Sequence, residues 1–351
     1  MNSSDCNDTC FIQDHTLDKY LFPVIYSILI IISIPANSIA LIISCSQVKK
    51  KNELGVYLFS LSLADMLYTL TLPLWIYYAK NGDDWTLSPN LCKLSAFLKY
   101  LNYYTSSGFL TCISLDRYLA IVHPMRFHYL RTRRVAFLIS VFVWAFEIMS
   151  NSIILKKDET FPEHNITDHT NHTLCYDSYP LKKWQALLNF YRVGVGYVIP
   201  LAVMAFCYQK IYQAVKNNRG AQDADKRKIN HLLLGIVSTF FVCFTPYHVV
   251  LLLRSISEPC NCAFARQMFV PYRITTALTS VNCIADPVLY CFVSETGRSD
   301  VWNMLKCTFS SSQTETQKTQ NVVEFSSSQD KNKKRNSLTP AQIGHDKGGM
   351  F

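Results

Sequence analysis

Charged residues are scarce in this sequence. Aspartate, glutamate, lysine and arginine together make up 17% of the 351 residues, whereas hydrophobic residues make up 49%. The charges cluster between apolar blocks, and blocks of about 20 residues are long enough to cross the roughly 30 Å core of a bilayer. Because the backbone must satisfy its own hydrogen bonds in lipid, these blocks should be helices. The composition therefore excludes an ordinary soluble protein and predicts an integral membrane protein.

Several motifs are also missing, and each absence excludes a class of protein. No repeat in the helical blocks suggests the duplicated halves of a transporter, and no catalytic pair of the His-Glu-x-x-His kind occurs. The basic residues, which give a net charge of +9, form no aromatic-basic surface that would bind nucleic acid. The polar, acidic N-terminus lacks the pattern of a cleaved signal peptide, so the first apolar span is expected to act as an uncleaved signal anchor.

Seven apolar spans are predicted, giving an all-α membrane protein with a seven-transmembrane helix bundle at residues 21–293. We expect a glycosylated extracellular N-terminus at 1–20, a short amphipathic membrane-surface helix at 294–307 and a disordered cytoplasmic tail at 308–351. Cys307, at the end of the amphipathic helix, is a candidate for palmitoylation. The spans are Leu21–Val48, Gly55–Ala79, Cys92–Val122, Val135–Leu155, Trp184–Val215, Ile229–Leu253 and Met268–Val293.

The distribution of lysine and arginine orients the spans. Three loops on one side carry these residues more densely than the opposite loops, so that side should be cytoplasmic. The N-terminus then lies outside the cell and the C-terminus inside, as seven spans require. Glycosylation sequons and an even number of cysteines agree, since all fall on the outer side. The sequons begin at Asn2, Asn7, Asn165 and Asn171, and the cysteines are Cys6, Cys10, Cys92, Cys175, Cys260 and Cys262.

Polar and charged residues inside the spans are expensive in lipid and are therefore functional candidates. Here they follow one another in a recognisable order that covers nearly the whole chain. The set is Asn37, Asp65, Asp116-Arg117-Tyr118, Trp144, Pro200, Tyr208, Phe240, Cys243-Phe244-Thr245-Pro246, Asn282 and Asp286-Pro287-Val288-Leu289-Tyr290. From Tyr20 to Cys307 the chain thereby resembles the rhodopsin-like (class A) family of G-protein-coupled receptors.

The resemblance implies roles for the residues on the cytoplasmic side. Arg117, paired with Asp116 and followed by Tyr118, should hold the cytoplasmic ends together at rest. It should then face a heterotrimeric G protein when span six swings outward. Tyr208 and Tyr290 would reach toward Arg117 in that open form.

Residues deeper in the bundle belong to the activation switch of the family. Phe244 precedes the conserved proline position at Pro246 and stands where the family usually has tryptophan, so the switch is expected to operate differently here. Pro287 follows Asp286 in span seven, where the family usually has asparagine before the proline. These two departures distinguish the sequence from most members of the family.

A polar cavity and a disulfide are further implications of the resemblance. Asp65, Ser106, Asn282 and Asp286 would line a cavity able to hold water or Na⁺, which is the one metal ion expected; no organic cofactor is expected. Cys92 and Cys175 match the disulfide of the family. A second bridge could join Cys6 or Cys10 to Cys260 or Cys262, and the sequence does not choose among the pairings.

The stretch of span three that would face a ligand lacks the aspartate that anchors amines. It reads Lys99-Tyr100-Leu101-Asn102-Tyr103, so a cationic amine would lose its partner. The segments 18–23, 58–65, 174–177, 243–249 and 279–287 instead resemble the proton-sensing subgroup of the family. That resemblance implies detection of extracellular acidification and activation of a G protein, with the stimulatory G protein and cyclic AMP as the expected pathway.

Titratable residues in the spans fit proton sensing. Asp65, Glu147 and Asp286 lie in spans two, four and seven with no basic residue expected at the same depth. If they share a cavity, burial and mutual repulsion would both favour protonation. Histidine gains its charge just below extracellular pH, and His248 and His15 match sensing positions of the subgroup. Two alternatives remain: Asp65 as a Na⁺-site carboxylate, and His248 as a neutral core histidine.

A receptor for a lysolipid or glycosphingolipid such as psychosine is the alternative function. Arg192 and Arg273 would then bind the headgroup, although either could pair with a loop acid such as Asp177. Whichever signal is received, receptor kinases and arrestin are expected to act on the tail. Its hydroxyl cluster directly follows Cys307 at Thr308, Ser310–Ser312, Thr314 and Thr316.

Overall fold

The computed structural model describes residues 16–156, 160–164, 171–176, 178–217 and 223–288. Within these ranges the chain forms α-helices and one antiparallel strand pair. The helices are α1 (Thr16–Lys49), α2 (Leu54–Thr69), α3 (Leu72–Lys80), α4 (Pro89–Val122), α5 (Arg133–Lys156), α6 (Lys183–Val193), α7 (Ile199–Asn217), α8 (Asp223–Ser257), α9 (Cys262–Ser280) and α10 (Asn282–Val288), and the strands are β1 (Thr160–His164) and β2 (Asn171–Cys175).

Several predicted features fall outside the described residues. They include the amphipathic helix at 294–307, the tail at 308–351, and the single residues Asn2, Cys6, Asn7, Cys10, His15, Asn165, Asp177, Tyr290 and Cys307. Asn171 begins β2, and only its backbone is described.

The predicted spans correspond to these helices, but three of them are divided. Span one is α1, span three is α4, span four is α5 and span six is α8. Span two consists of α2 and α3, span five of α6 and α7, and span seven of α9 and α10. Spans two, five and seven are therefore helical, with one local interruption in each.

Proline explains the break in span two. Pro73 lies in the first turn of α3, where its missing N–H is tolerated. The preceding helix ends with Thr71 donating its backbone N–H to the carbonyl of Tyr68 at 2.8 Å, and the Thr71 hydroxyl donates to the same carbonyl at 2.7 Å. These bonds satisfy the end of α2 inside the bundle.

A π-helical turn, Gly194–Val198, joins α6 to α7 in span five. Ile199 donates its N–H to the carbonyl of Gly194, five residues earlier. Pro200 has no N–H to donate to Gly196, so the Gly196 carbonyl is left for another partner. The hydroxyl of Ser107 in α4 donates to it at 2.8 Å. Proline and serine thus stabilise the wide turn together and attach span five to span three.

Five described helical segments are long and apolar enough to cross a membrane: Asp18–Lys49, Leu54–Lys80, Arg133–Lys156, Lys183–Asn217 and Leu233–Ser257. Spans three and seven are less apolar than these. Helix α4 packs against α2, α5 and α7 and buries polar residues such as Asn102, Thr105 and Ser106. Its polar side chains face the protein interior, so it needs less apolar surface than the outer helices. Those outer helices expose large apolar side chains, including Ile31, Phe142 and Leu187.

The strand pair lies in the loop between spans four and five and was not predicted. β1 and β2 pair antiparallel, from Thr160 opposite Cys175 to His164 opposite Asn171. Cys175 forms the predicted disulfide with Cys92 at the start of α4. The backbone of Thr173 accepts a hydrogen bond from Trp85 N–H at 2.7 Å and donates one to Asp84 at 2.8 Å. The strand pair is thereby fixed over one end of the bundle.

Candidate functional site

A buried polar cluster joins spans two, three and seven. The side-chain amide of Asn102 donates to Asp65 Oδ1 at 2.8 Å and lies 3.4 Å from the Ser106 hydroxyl. Asp65 and Asp286 are almost fully buried, and their carboxylates would repel one another if both were ionised. Asn282 is also fully buried, one position before Cys283, whose thiol lies 3.8 Å from Asn102 Oδ1. The structure therefore brings together Asp65, Ser106, Asn282 and Asp286, as expected for the polar cavity.

Several atoms of this cluster have no hydrogen-bond partner among the described residues. They are Asp65 Oδ2, both carboxylate oxygens of Asp286 and the amide nitrogen of Asn282. An isolated buried carboxylate is too costly to keep charged without compensation. A proton on either carboxylate, or a Na⁺ ion held by Asp65, Asp286 and Ser106, would compensate them, because carboxylate and hydroxyl oxygens suit hard cations. Within the described part of the chain, no group of three or more His, Cys, Asp and Glu side chains could hold a metal ion.

Glu147 does not belong to this cluster. It is half-buried in α5 and, with Tyr104, Asn151 and Arg192, lines a separate cavity. Asn151 donates to its carboxylate at 3.4 Å. The structure therefore corrects the expectation of one cavity shared by three carboxylates. It also corrects the expectation that no basic residue lies at that depth, because Glu147 faces span five, where Arg192 is buried.

Arg192 packs among tyrosines beside this cavity. Its guanidinium lies 3.7 Å from the ring centre of Tyr100, and its Nη1 donates to the hydroxyl of Tyr176 at 3.2 Å. Nη1 also lies 3.4 Å from the side-chain oxygen of Asn189. Its Nε and Nη2 have no partner among the described residues, although the side chain is only 3% exposed.

His248 is buried in an aromatic environment between spans three, five and six. Its Nδ1 lies 2.8 Å from the carbonyl oxygen of Phe244, to which it donates in the neutral ring. The ring stacks on Tyr197 at a centroid distance of 4.6 Å and meets Tyr104 edge-on at 6.0 Å. Nε2 has no partner among the described residues and is the atom that would accept a proton.

An ion cluster at the start of span one was missed by the sequence analysis. Arg273 in α9 lies 3.0 Å from Asp18 in α1 and 2.9 Å from Asp83 in the loop after α3. Both carboxylates are almost fully buried, at 0% and 2% exposure. The cluster connects three elements at the end of the bundle that carries the strand pair. The positions of the acids beside span ends were visible in the sequence, but their common partner was not.

The other end of the bundle holds the predicted activation residues. Arg117 lies 2.5 Å from Asp116, and Arg131 contacts the same carboxylate at 3.2 Å. Arg131 also pairs with Glu53 at 2.7 Å, which adds the loop between α1 and α2 to the network. The sequence analysis did not anticipate either contact of Arg131. Tyr118 does not point at these charges, and its hydroxyl lies 3.0 Å from Nε2 of His123.

The remaining switch residues lie between these two ends. Phe244 is fully buried and stacks on Phe240 at 4.8 Å, four residues before it in α8. Pro246 lies inside α8 and Pro287 inside α10. Tyr208 packs, with Tyr118, against a cluster of Ile211, Val215 and Leu233. Spans five and six are thus closed against each other at this end.

Comparison with known proteins places these features in context. Residues 36–290 match the profile of the family described as 7 transmembrane receptor (rhodopsin family). The chain is 53% identical over 308 residues to human G-protein coupled receptor 65, covering 86% of this chain and 91% of that receptor. It is 43% identical over 288 residues to mouse G-protein coupled receptor 68, covering 82% and 77%. Identity to human probable G-protein coupled receptor 132 is 31% over 308 residues, covering 86% and 77%.

Proposed function

Because this chain belongs to the rhodopsin family of seven-transmembrane receptors, we propose that it detects extracellular protons and activates a heterotrimeric G protein. Members of the family are receptors and not enzymes, so the output is a change in helix packing. The names of the relatives support a G protein as the partner. We further propose that the stimulatory G protein is the one activated and that cyclic AMP rises.

The unsatisfied carboxylates of Asp65 and Asp286 carry this proposal. Both are buried in one cluster, and three of their four oxygens have no hydrogen-bond partner among the described residues. When both are ionised, their repulsion and the cost of burying charge oppose close packing of spans two and seven. A proton taken up there removes both penalties. Acidification would therefore favour the conformation in which these spans pack most tightly.

The contacts around the cluster offer a route to the cytoplasmic end. The Thr279 hydroxyl in span seven donates to the carbonyl of Cys243 in span six at 3.0 Å, beside Phe244. A shift of span seven would thus act on the aromatic stack of span six. Outward movement of span six would then release Arg117 toward the G protein.

Several protons must cooperate in this mechanism. A difference of one pKa unit between resting and active states contributes about 1.4 kcal/mol. Shifting an equilibrium from 1:99 to 99:1 requires about 5.5 kcal/mol. We therefore propose that Asp65, Asp286, Glu147, His248 and His15 each contribute part of the response.

We propose a plasma-membrane location with the N-terminus outside and the C-terminus in the cytoplasm. The disulfide Cys92–Cys175 at one end of α4 supports this orientation, because disulfides persist in oxidising compartments. Cys260 and Cys262 are also disulfide-bonded, which fits the same orientation. A bridge from either of them to Cys6 or Cys10 remains a proposal, because Cys6 and Cys10 lie outside the described residues. Glycosylation at the four sequons, palmitoylation of Cys307 and binding of arrestin to the tail remain parts of the proposal.

The lysolipid alternative is weakened by the ion pairs of Arg273. This residue, one of the two headgroup candidates, already contacts Asp18 and Asp83. Arg192 has donors without a partner among the described residues, so a headgroup contact at Arg192 is still to be tested. Acidification in lipid-free medium separates the two functions, because only a proton receptor responds without lipid.

The decisive experiment is a titration of cyclic AMP against external pH in lipid-free medium. Cells expressing the chain should respond steeply to acidification, and Arg117→Ala at matched surface expression provides the control for receptor-dependent signal. The triple variant Asp286→Asn/Glu147→Gln/His248→Phe should lose most of the pH dependence. A full, steep response in a triple variant that reaches the surface would overturn the proposal. A response that requires added lipid would support the alternative.

A further inference from the structure

Arg192 differs from the other buried arginines at its end of the bundle. Arg254 lies 2.7 Å from the carboxylate of Glu258, and Arg273 contacts two carboxylates directly. Arg192 has no direct carboxylate contact among the described residues and is held by Tyr176, Asn189 and the face of Tyr100. Among the described residues, no adjacent acid therefore neutralises its charge.

Glu147 is the described acid that shares a cavity with Arg192. The two side chains line the same cavity, with Tyr104 and Asn151 beside them. Two guanidinium nitrogens of Arg192, Nε and Nη2, have no partner among the described residues, and Asn151 is the described donor to the Glu147 carboxylate. A positive charge near a carboxylate favours the ionised form of that carboxylate, and Arg192 and Glu147 line one cavity.

The charge of Arg192 also acts on His248, where it opposes the charged form of the side chain. Both groups lie beside Tyr104: His248 meets the Tyr104 ring edge-on at 6.0 Å, and the Arg192 guanidinium lies 5.9 Å from the same ring. A proton on His248 would place a second positive charge near Arg192, and like charges oppose each other.

The other described titratable groups around Arg192 do not change charge near neutral pH. They are tyrosines: Tyr100 and Tyr104 from span three, Tyr176 from the loop after β2, Tyr191 from its own helix and Tyr247 from span six. Tyrosine is neutral below about pH 10, and arginine is always charged. Glu147 and His248 are therefore the described neighbours whose charge can respond to physiological acidification.

From this arrangement we infer that Arg192 sets the pH at which the receptor responds, by opposing protonation of both Glu147 and His248. The inference rests on the proposed proton-sensing function and assigns Arg192 a positioning and tuning role. A fixed positive charge beside two proton acceptors means that a higher proton concentration is needed to fill them. Arg192 thereby moves the response of the receptor toward more acidic pH.

The test compares pH midpoints of the cyclic AMP response at matched surface expression. Arg192→Gln should shift the midpoint toward alkaline pH by roughly half a unit or more, which is about a threefold lower proton concentration. Arg192→Lys, which retains the charge, should lie near the wild type. Lys183→Gln removes the same charge from an exposed position of the same helix and should leave the midpoint unchanged. An unshifted or more acidic midpoint in Arg192→Gln would overturn the inference.

A double variant keeps the test open if Arg192→Gln fails to reach the surface. Glu147→Gln/Arg192→Gln replaces two opposite charges by neutral groups, a change that buried sites often tolerate. Relative to Glu147→Gln alone, it should still shift the midpoint toward alkaline pH through His248, but by less than Arg192→Gln shifts the wild type. Equal midpoints of the double and single variants would contradict the role assigned at His248. If the wild type itself ignored pH, the proposed function would fail instead, whatever the Arg192 variants did.

Discussion

Arg131 contacts Asp116 at 3.2 Å, so the carboxylate at the cytoplasmic end of span three is held by two arginines and not by Arg117 alone. Arg131 lies between α4 and α5. Its Nε contacts Asp116, and its Nη2 lies 2.7 Å from the carboxylate of Glu53, next to α2. The resting ionic network therefore includes two loops. If Arg117 leaves Asp116, its ion pair with Asp116 breaks, and Arg131 remains as the partner of that carboxylate.

Replacing Arg131 should raise basal signalling. In Arg131→Gln, Asp116 and Glu53 lose their shared cation, which weakens the closed arrangement of the cytoplasmic end. We expect a higher cyclic AMP level than wild type at alkaline external pH, where protons contribute least. The matched control is Arg133→Gln, because Arg133 makes one exposed hydrogen bond to the carbonyl of Val48 at 3.4 Å. Equal basal levels in the two variants would show that Arg131 has no part in the resting network.

Replacing Arg117 should have the opposite effect on output. Arg117→Ala removes the side chain that we assign to the G-protein interface, so the rise of cyclic AMP on acidification should be lost. Surface expression should stay largely intact, because the side chain is partly exposed, at 25%, at the end of the helix. Normal signalling by a well-expressed Arg117→Ala receptor would refute the role of the Asp-Arg-Tyr motif.

The three membrane carboxylates should fall into two groups when variants are combined. Asp286→Asn, Asp65→Asn and Glu147→Gln imitate the protonated state, so each should raise basal cyclic AMP near pH 7.4 and flatten the pH response. A carboxylate loses charge as the pH falls, and a permanently neutral side chain presets that result. Asp65→Asn and Asp286→Asn should be non-additive because they share one cluster, whereas Glu147→Gln should add to either. Additivity within the first pair would argue against a shared site.

Gly196 should be far less tolerant of alanine than Gly194, although both lie in the π-helical turn. A β-carbon at Gly196 would lie only 2.4 Å from the Tyr104 ring, while at Gly194 no atom lies within 4 Å. Forcing extra volume into a packed interior typically costs about 1–3 kcal/mol. Gly196→Ala should therefore lower the melting temperature of the purified receptor, and Gly194→Ala should not. Equal melting temperatures would mean that Tyr104 moves aside without cost.

The disulfide should contribute to folding as a single unit. Removing a native disulfide typically costs about 2–5 kcal/mol. Cys92→Ser, Cys175→Ser and the double variant should therefore show the same reduction in surface delivery. Cell-surface labelling with an N-terminal tag measures it. Unequal losses would indicate that one sulfur has another partner in the cell.

The sequence predicted the parts of the fold that depend on local pattern. The lengths of the apolar blocks located the spans, and the order of Asp65, Asp116-Arg117 and Asp286 indicated the family. Contacts between distant residues were out of reach. Arg273 pairs with Asp18 across 255 positions and Arg131 with Glu53 across 78, and no local pattern encodes such separations.

Helix rotation explains the error at Glu147. Successive residues of an α-helix point about 100° apart, so a small change in the orientation of α5 decides which neighbour a side chain faces. The sequence placed Glu147 at the depth of span four but not on the side toward span five. The helix breaks also depend on contacts between helices, which a local sequence pattern does not encode. Pro73 and Pro200 are visible in the sequence, whereas the hydroxyl of Ser107 that holds the freed Gly196 carbonyl belongs to another helix.

The strand pair has a consequence for how fast the receptor can be switched. Leu174, Cys175 and Tyr176 are buried under 8% exposure, and Tyr176 reaches down to Tyr100 and Arg192. A bulky agonist would have to displace this cover before binding and again before leaving. A proton can pass along hydroxyl groups and water without moving it. After a sudden change of external pH, the receptor should therefore activate and deactivate without delay. Both rates should be limited by helix rearrangement, on the microsecond-to-second scale, and not by the dissociation of a bound agonist.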